Sequence, residues 1–221
     1  ALQELLLFYS STEKKLVTLR EYTDRMSESQ KYIYYAAGES VSAIDHLPQT
    51  ELLKGKNYEV LYLTGDADEF VFQMLQTYAG HAFRSILDGE LELDGEDAPA
   101  AEDKPELMAF VKEVLGDKIK DARVSRRLKT HPVCMTAGEG LSFEMEKYFK
   151  NLETPMPIKA DRILELNTAH PAVQAIEAAM STDRTKAELY TRILYDQALL
   201  IAGLPLEDPS AYTDLVAELM K

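Results

Sequence analysis

Two short runs, YIYYAA at residues 32–37 and YEVLYL at residues 58–63, are apolar at almost every position. A strand with one wet face alternates apolar and polar side chains, whereas runs this continuous read as strands buried on both faces of a parallel sheet covered by helices. Turn residues frame them: Gly38-Glu39-Ser40 closes the first as a strand end passing into a helix N-cap, and Gly55 and Thr64-Gly65-Asp66 bound the second. Between them lie two short helical pieces, 40–47 and 49–53, split at Pro48. Residues 66–78 follow as a helix with Phe70, Val71, Met74 and Leu75 inward, and 82–87 as a third strand. Upstream, residues 2–9 carry apolar side chains on most sides and read as the end of a helix. Leu16, Val17 and Leu19 form a short apolar stretch, and 25–31 a polar, helix-compatible lead-in to the first strand.

Residues 88–104, DGELELDGEDAPAAEDK, are acidic, contain Gly and Pro, and have no usable apolar period, so they read as a linker or long loop and the best domain boundary. Beyond it, Pro105–Leu115 is a helix with proline in its first turn and Gly116 at its end. Strands are expected over 119–128, 132–136 and 163–166, with a helix over 140–152. Three closing helices cover 171–180, 186–203 and 209–220. The expected fold class is α/β (α+β): a small parallel-sheet α/β subdomain over 1–87, the acidic linker, and a mixed α/β domain over 105–221 ending in three helices.

The chain has 221 residues and a formal net charge of −14, from 38 acidic and 24 basic residues. That balance argues against nucleic acid, whose phosphates reward clustered Lys and Arg, and against anionic membrane surfaces. Cys134 is the single cysteine, which excludes an internal disulfide and suits a reducing, cytoplasmic location. No apolar run approaches the roughly 18 residues of a membrane span. The first residues place an apolar block before the lysines and lack an initiator methionine, so the chain reads as a piece cut from a longer protein. His46, His81, His131 and His170 form no paired metal spacing and there is no CxxC, so surface or turn histidines are expected and no metal. No GxSxG elbow, GxGxxG or GxxxxGK[ST] loop occurs, leaving no catalytic residue to name. Arg123, Arg126 and Arg127 form a basic island whose expected role is structural ion pairing.

Two apolar stripes remain. The helix over 186–203 spreads Leu189, Tyr190, Ile193, Leu194, Ala198, Leu199, Leu200 and Ile201 over more than one stripe, and the last helix adds Tyr212, Leu215, Val216, Leu219 and Met220. One face serves the domain's own core; the surplus is hidden if two copies pair these helices into a four-helix bundle. A fully internal core is the alternative. The other stripe is Leu141, Met145, Tyr148 and Phe149, spaced i, i+4, i+7 and i+8 with Phe143 off the face. Periodicity alone reads it as an ordinary core helix.

Three strings resemble one known family. Tyr22, Arg25, Met26, Glu28, Gln30, Ile33, Tyr34 and Tyr35 match the spacing of a signature of the heat-shock protein 90 family in its bacterial form, near the end of the middle domain. DARVSRRLKTHP from Asp121 and LYDQALLIAGLPLEDP from Leu194 are similar to two further runs of its C-terminal dimerisation domain. The resemblance implies a molecular chaperone that homodimerises through its last helices, here Leu189, Tyr190, Ile193, Leu194, Leu200, Ile201, Tyr212, Leu215, Val216 and Leu219. It implies that the helix of Leu141, Met145, Tyr148 and Phe149 projects into the dimer cleft and meets unfolded or partly folded client proteins. Leu141 and Tyr148 stand where some relatives have Met and Leu. The family's ATP and Mg belong to an N-terminal domain, and its catalytic arginine loop to an upstream part of the middle domain, so no cofactor and no ATP hydrolysis are expected of this stretch. The end at Lys221 lacks the Met-Glu-Glu-Val-Asp tail that docks co-chaperones. Two contrasting readings stay open: a small α/β enzyme or ligand-binding module with its ligand at the strand ends near Gly38 or Thr64-Gly65, and a dimeric scaffold without client contact.

Overall fold

The computed structural model describes residues 2–88 and 102–220, and the chain divides into two compact units. The first comprises residues 1–96 and 138–160, the second 97–137 and 161–221. The acidic stretch 88–104 lies outside the described residues except for Asp88 and residues 102–104.

The first unit opens with a 3-10 turn, Leu2–Leu5, then β1 (Leu7–Ser10), β2 (Leu16–Thr18) and α1 (Leu19–Arg25). There follow β3 (Tyr32–Ala37), α2 (Val41–Asp45), α3 (Thr50–Gly55), β4 (Val60–Leu63), α4 (Asp68–Leu75), β5 (Thr77–Tyr78) and β6 (His81–Ser85). The sheet order is β2-β1-β4-β3-β6-β5, with β3 at the centre pairing in parallel with β4 and β6. Both faces of β3 and β4 are covered, which explains their continuous apolar sequence. Tyr34, Ala36, Val60 and Tyr62 meet Ile44, Leu47 and Leu53 of the α2–α3 layer. Ile33, Tyr35, Ala37, Leu61 and Leu63 meet Tyr22 and Phe72 from α1 and α4. Ser40 caps α2 by accepting from Ala43 N at 3.1 Å, as its place after Gly38-Glu39 predicts.

Four expectations are corrected here. Residues 2–9 do not end a helix: Leu7–Ser10 is a strand paired antiparallel to both β2 and β4, so the sheet is parallel only at its centre. The helix near the signature lies upstream of 25–31, because Thr18 and Glu21 form a reciprocal capping box that starts α1 at Leu19, and the helix ends at Arg25. The third strand is His81–Ser85 rather than 82–87. Finally, the buried apolar residue of α4 is Phe72, packed at ring-centroid distances of 4.7, 5.0 and 4.2 Å from Phe8, Tyr35 and Phe83, with Leu75 packed against the same core as expected. Met74, expected inside, is 84% exposed.

The second unit contains α5 (Pro105–Leu115), β7 (Asp121–Val124) and β8 (Val133–Ala137). The chain then returns to the first unit for α6 (Phe143–Lys150) before β9 (Arg162–Leu166), α7 (Pro171–Met180), α8 (Arg184–Ile201) and α9 (Pro209–Glu218). β9 is the middle strand, parallel to β7 and antiparallel to β8. α8 packs on α7, β8 and α5. Arg127 and Glu165 form a buried ion pair at 2.9 Å, and Ser125 Oγ donates to Glu165 Oε2 at 2.9 Å, so part of the basic island is structural. His170, Asp183 and Asp208 cap α7, α8 and α9 through side-chain acceptors.

Candidate functional site

α6 starts where Ser142 accepts from Met145 N at 3.1 Å, and the same hydroxyl donates to Glu69 of α4. The stripe expected to face clients is therefore laid against α4. Met145 is only 4% exposed, and Gln73 Nε2 of α4 donates to its Sδ at 3.2 Å. Phe70 of α4 stands edge-on to Tyr148 and Phe149, with centroids 5.1 and 5.8 Å away. Tyr148 is exposed, while Leu141 and Phe149 are half-buried. Phe143 is buried, and buried Glu146 accepts from Ala160 N at 2.7 Å. Phe70 and Gln73 are thus partners of α6 that the sequence reading missed. Phe70 was expected inside the sheet core and instead meets the rings of α6.

A cleft of about 290 Å³ opens beside these rings at the C-terminal ends of β3 and β4, lined among others by Gly38, Thr64, Gly65, Phe70, Met145 and Tyr148. This is where the ligand-module reading placed its ligand. The glycine at 38 has a packing reason, since a Cβ there would lie 2.8 Å from Ile44 Cγ1. Glu69 also lines the cleft. Burial pushes its carboxyl up to about 7, opposed by the Ser142 hydrogen bond and reinforced by Asp88 and Glu144. Among the described residues no group of three or more His, Cys, Asp or Glu is arranged to hold a metal ion. No described helix is long and apolar enough to cross a membrane.

The other candidate surface lies on α8 and α9. Ile193 and Leu194 are buried within the unit, together with Ala198 and Leu199. Leu200, Ile201, Leu219 and Met220 are exposed, and Leu189, Tyr190, Tyr212, Leu215 and Val216 are half-buried. No residue of α9 is buried.

A family profile described as Hsp90 protein matches residues 1–221. The chain belongs to the Hsp90 family. It is 50% identical over 223 residues to a chaperone protein HtpG of Clostridium acetobutylicum, a match covering all of this chain and 36% of the relative. The HtpG chaperones of Halalkalibacterium halodurans and Bacillus subtilis are 47% and 45% identical, each match covering 99% of this chain and 36% of the relative. The chain therefore spans about a third of the length of the curated relatives it matches. In this Hsp90-family chain the signature residues 22–35 build the sheet. The Tyr22 hydroxyl donates to Glu59 O at 2.7 Å and accepts from Gln30 Nε2 at 2.9 Å and Tyr34 N at 3.1 Å. Arg25 grips the Glu59 carboxylate at 2.7 and 3.1 Å.

Proposed function

We propose that this chain is the dimerising, client-contacting part of an Hsp90-type chaperone. The reading rests above all on α9, an amphipathic helix with none of its residues buried beside exposed Leu200 and Ile201 of α8. Apolar area is stabilised by removal from water at about 25 cal/mol per Å², and an identical copy supplies the simplest closed cover. The client surface is the joint face of α6 and α4: Tyr148 and Met74 are exposed, Phe70 and Phe149 half-exposed, with Met145 beneath. Methionine and aromatic side chains suit contact with many different apolar segments. ATP and Mg belong to other parts of the parent chaperone, and this stretch contributes cytoplasmic, mechanical work without catalysis. Suppression of aggregation of a heat-unfolded test protein examines the reading. Tyr148→Ser combined with Met74→Ser should halve suppression or worse while the sedimentation coefficient stays unchanged. Full suppression by that variant would leave a dimeric scaffold without client contact.

A further inference from the structure

The cleft beside α6 combines apolar walls with an acidic rim. Leu63, Phe70 and Tyr148 supply the walls, and Glu39, Asp66 and Glu144 carry carboxylates around it. Lys147 is the one cation among its described lining residues, and it is already paired with Glu39 at 3.2 Å and Glu144 at 2.8 Å. Asp66 is exposed and has no cation paired with it among the described residues. The lining therefore has a surplus of negative charge next to two aromatic rings.

We propose that this cleft seats a lysine or arginine side chain of the apolar client segment that lies across α6 and α4. The inference rests on the client reading and adds its charge preference. The long methylene stem of such a side chain packs on apolar walls while its head stays among carboxylates. A ring face of Phe70 or Tyr148 attracts a cation that has shed part of its water. A volume of about 290 Å³ accommodates one long side chain rather than a folded domain. A client Asp or Glu at the same place meets like charge, so the cleft rejects as well as selects. Glu69, whose carboxyl burial pushes up to about 7, carries only part of a charge near neutral pH, so Glu39, Asp66 and Glu144 set the sign of the rim.

The test uses two fluorescent peptides with one Leu/Phe core, flanked in one by arginine and in the other by glutamate. Their affinities are read by anisotropy against the 221-residue chain, against Glu39→Gln with Asp66→Asn, and against Glu106→Gln with Asp117→Asn. The last variant removes the same charge from exposed positions of the second unit. The basic peptide should bind the natural chain about tenfold more tightly than the acidic one. The cleft variant should reduce that preference by about threefold or more, and the remote variant should leave it intact, since exposed charge pairs are each worth roughly a factor of 1.4 to 5. Equal affinity for the two peptides, or equal loss in both variants, overturns the inference and leaves the client reading standing. Failure of both peptides to bind a chain that still dimerises overturns the client reading and the inference together.

Discussion

Tyr22 concentrates three hydrogen bonds on one buried hydroxyl, and burial raises its pKa so that it stays protonated. Tyr22→Phe keeps the ring and removes all three hydrogen bonds at this junction. That should cost about 1–3 kcal/mol, read as a lower urea midpoint at unchanged slope. An unchanged midpoint would mean that water replaces the hydroxyl. Glu69 gives the opposite lesson. Its carboxyl sits at about 7 against an ordinary 4.5, so the folded chain holds this proton more tightly than the unfolded chain. The stability it contributes is complete below about 4.5 and is lost as pH rises through about 7. Glu69→Gln, which retains a partner for Ser142, should be more stable than the natural chain by on the order of 2 kcal/mol at pH 8 and converge with it toward pH 5. A constant difference across that range would show that Glu69 is not the titrating group.

At the scale of elements, α6 depends on Ser142 twice, as N-cap and as donor to Glu69. Ser142→Ala should loosen the helix by about 1 kcal/mol. Amide exchange should rise at residues 143–150 more than in the rest of the first unit, and a uniform rise would assign the loss to general destabilisation. What the sequence made legible followed from local signals. Continuous apolar runs marked β3 and β4, Pro105, Pro171 and Asp208-Pro209 marked three helix starts, and the spacing of Met145, Tyr148 and Phe149 marked α6, although Leu141 precedes its N-cap. What it hid was set by partners distant in sequence. LFYS becomes β1 because β4 supplies Tyr62 and Leu61 opposite Tyr9 and Ser10. The rotation of α4 is fixed by Phe8, Tyr35 and Phe83 around Phe72, and no period within α4 contains that information. The same rotation turns Phe70 and Gln73 toward α6, so half of the candidate site was invisible for the reason that half of the helix was misread.

For the whole molecule, the proposed dimer needs a test that spares the protomer. Removing both closing helices would not do so, because α8 contributes Ile193, Leu194, Ala198 and Leu199 to the core of its own unit. Leu200→Glu with Ile201→Glu changes only exposed positions. In an isologous interface each substitution occurs twice, so four carboxylates would have to lose water without partners. Burying unpaired charge costs several kcal/mol, enough to weaken the dimer by about 100-fold or more. Sedimentation at micromolar concentration should therefore show dimers for the natural chain and monomers for the variant, with equal helicity in both. Salt supplies a second handle. Each copy carries a net charge of −14, so long-range repulsion opposes pairing, and raising ionic strength from about 0.01 M to 0.15 M should tighten the dimer as the screening length shrinks from about 30 to 8 Å. A dimer held mainly by ion pairs would loosen under the same change, and a natural chain that sediments as a monomer in both conditions would overturn the proposed pairing through α8 and α9.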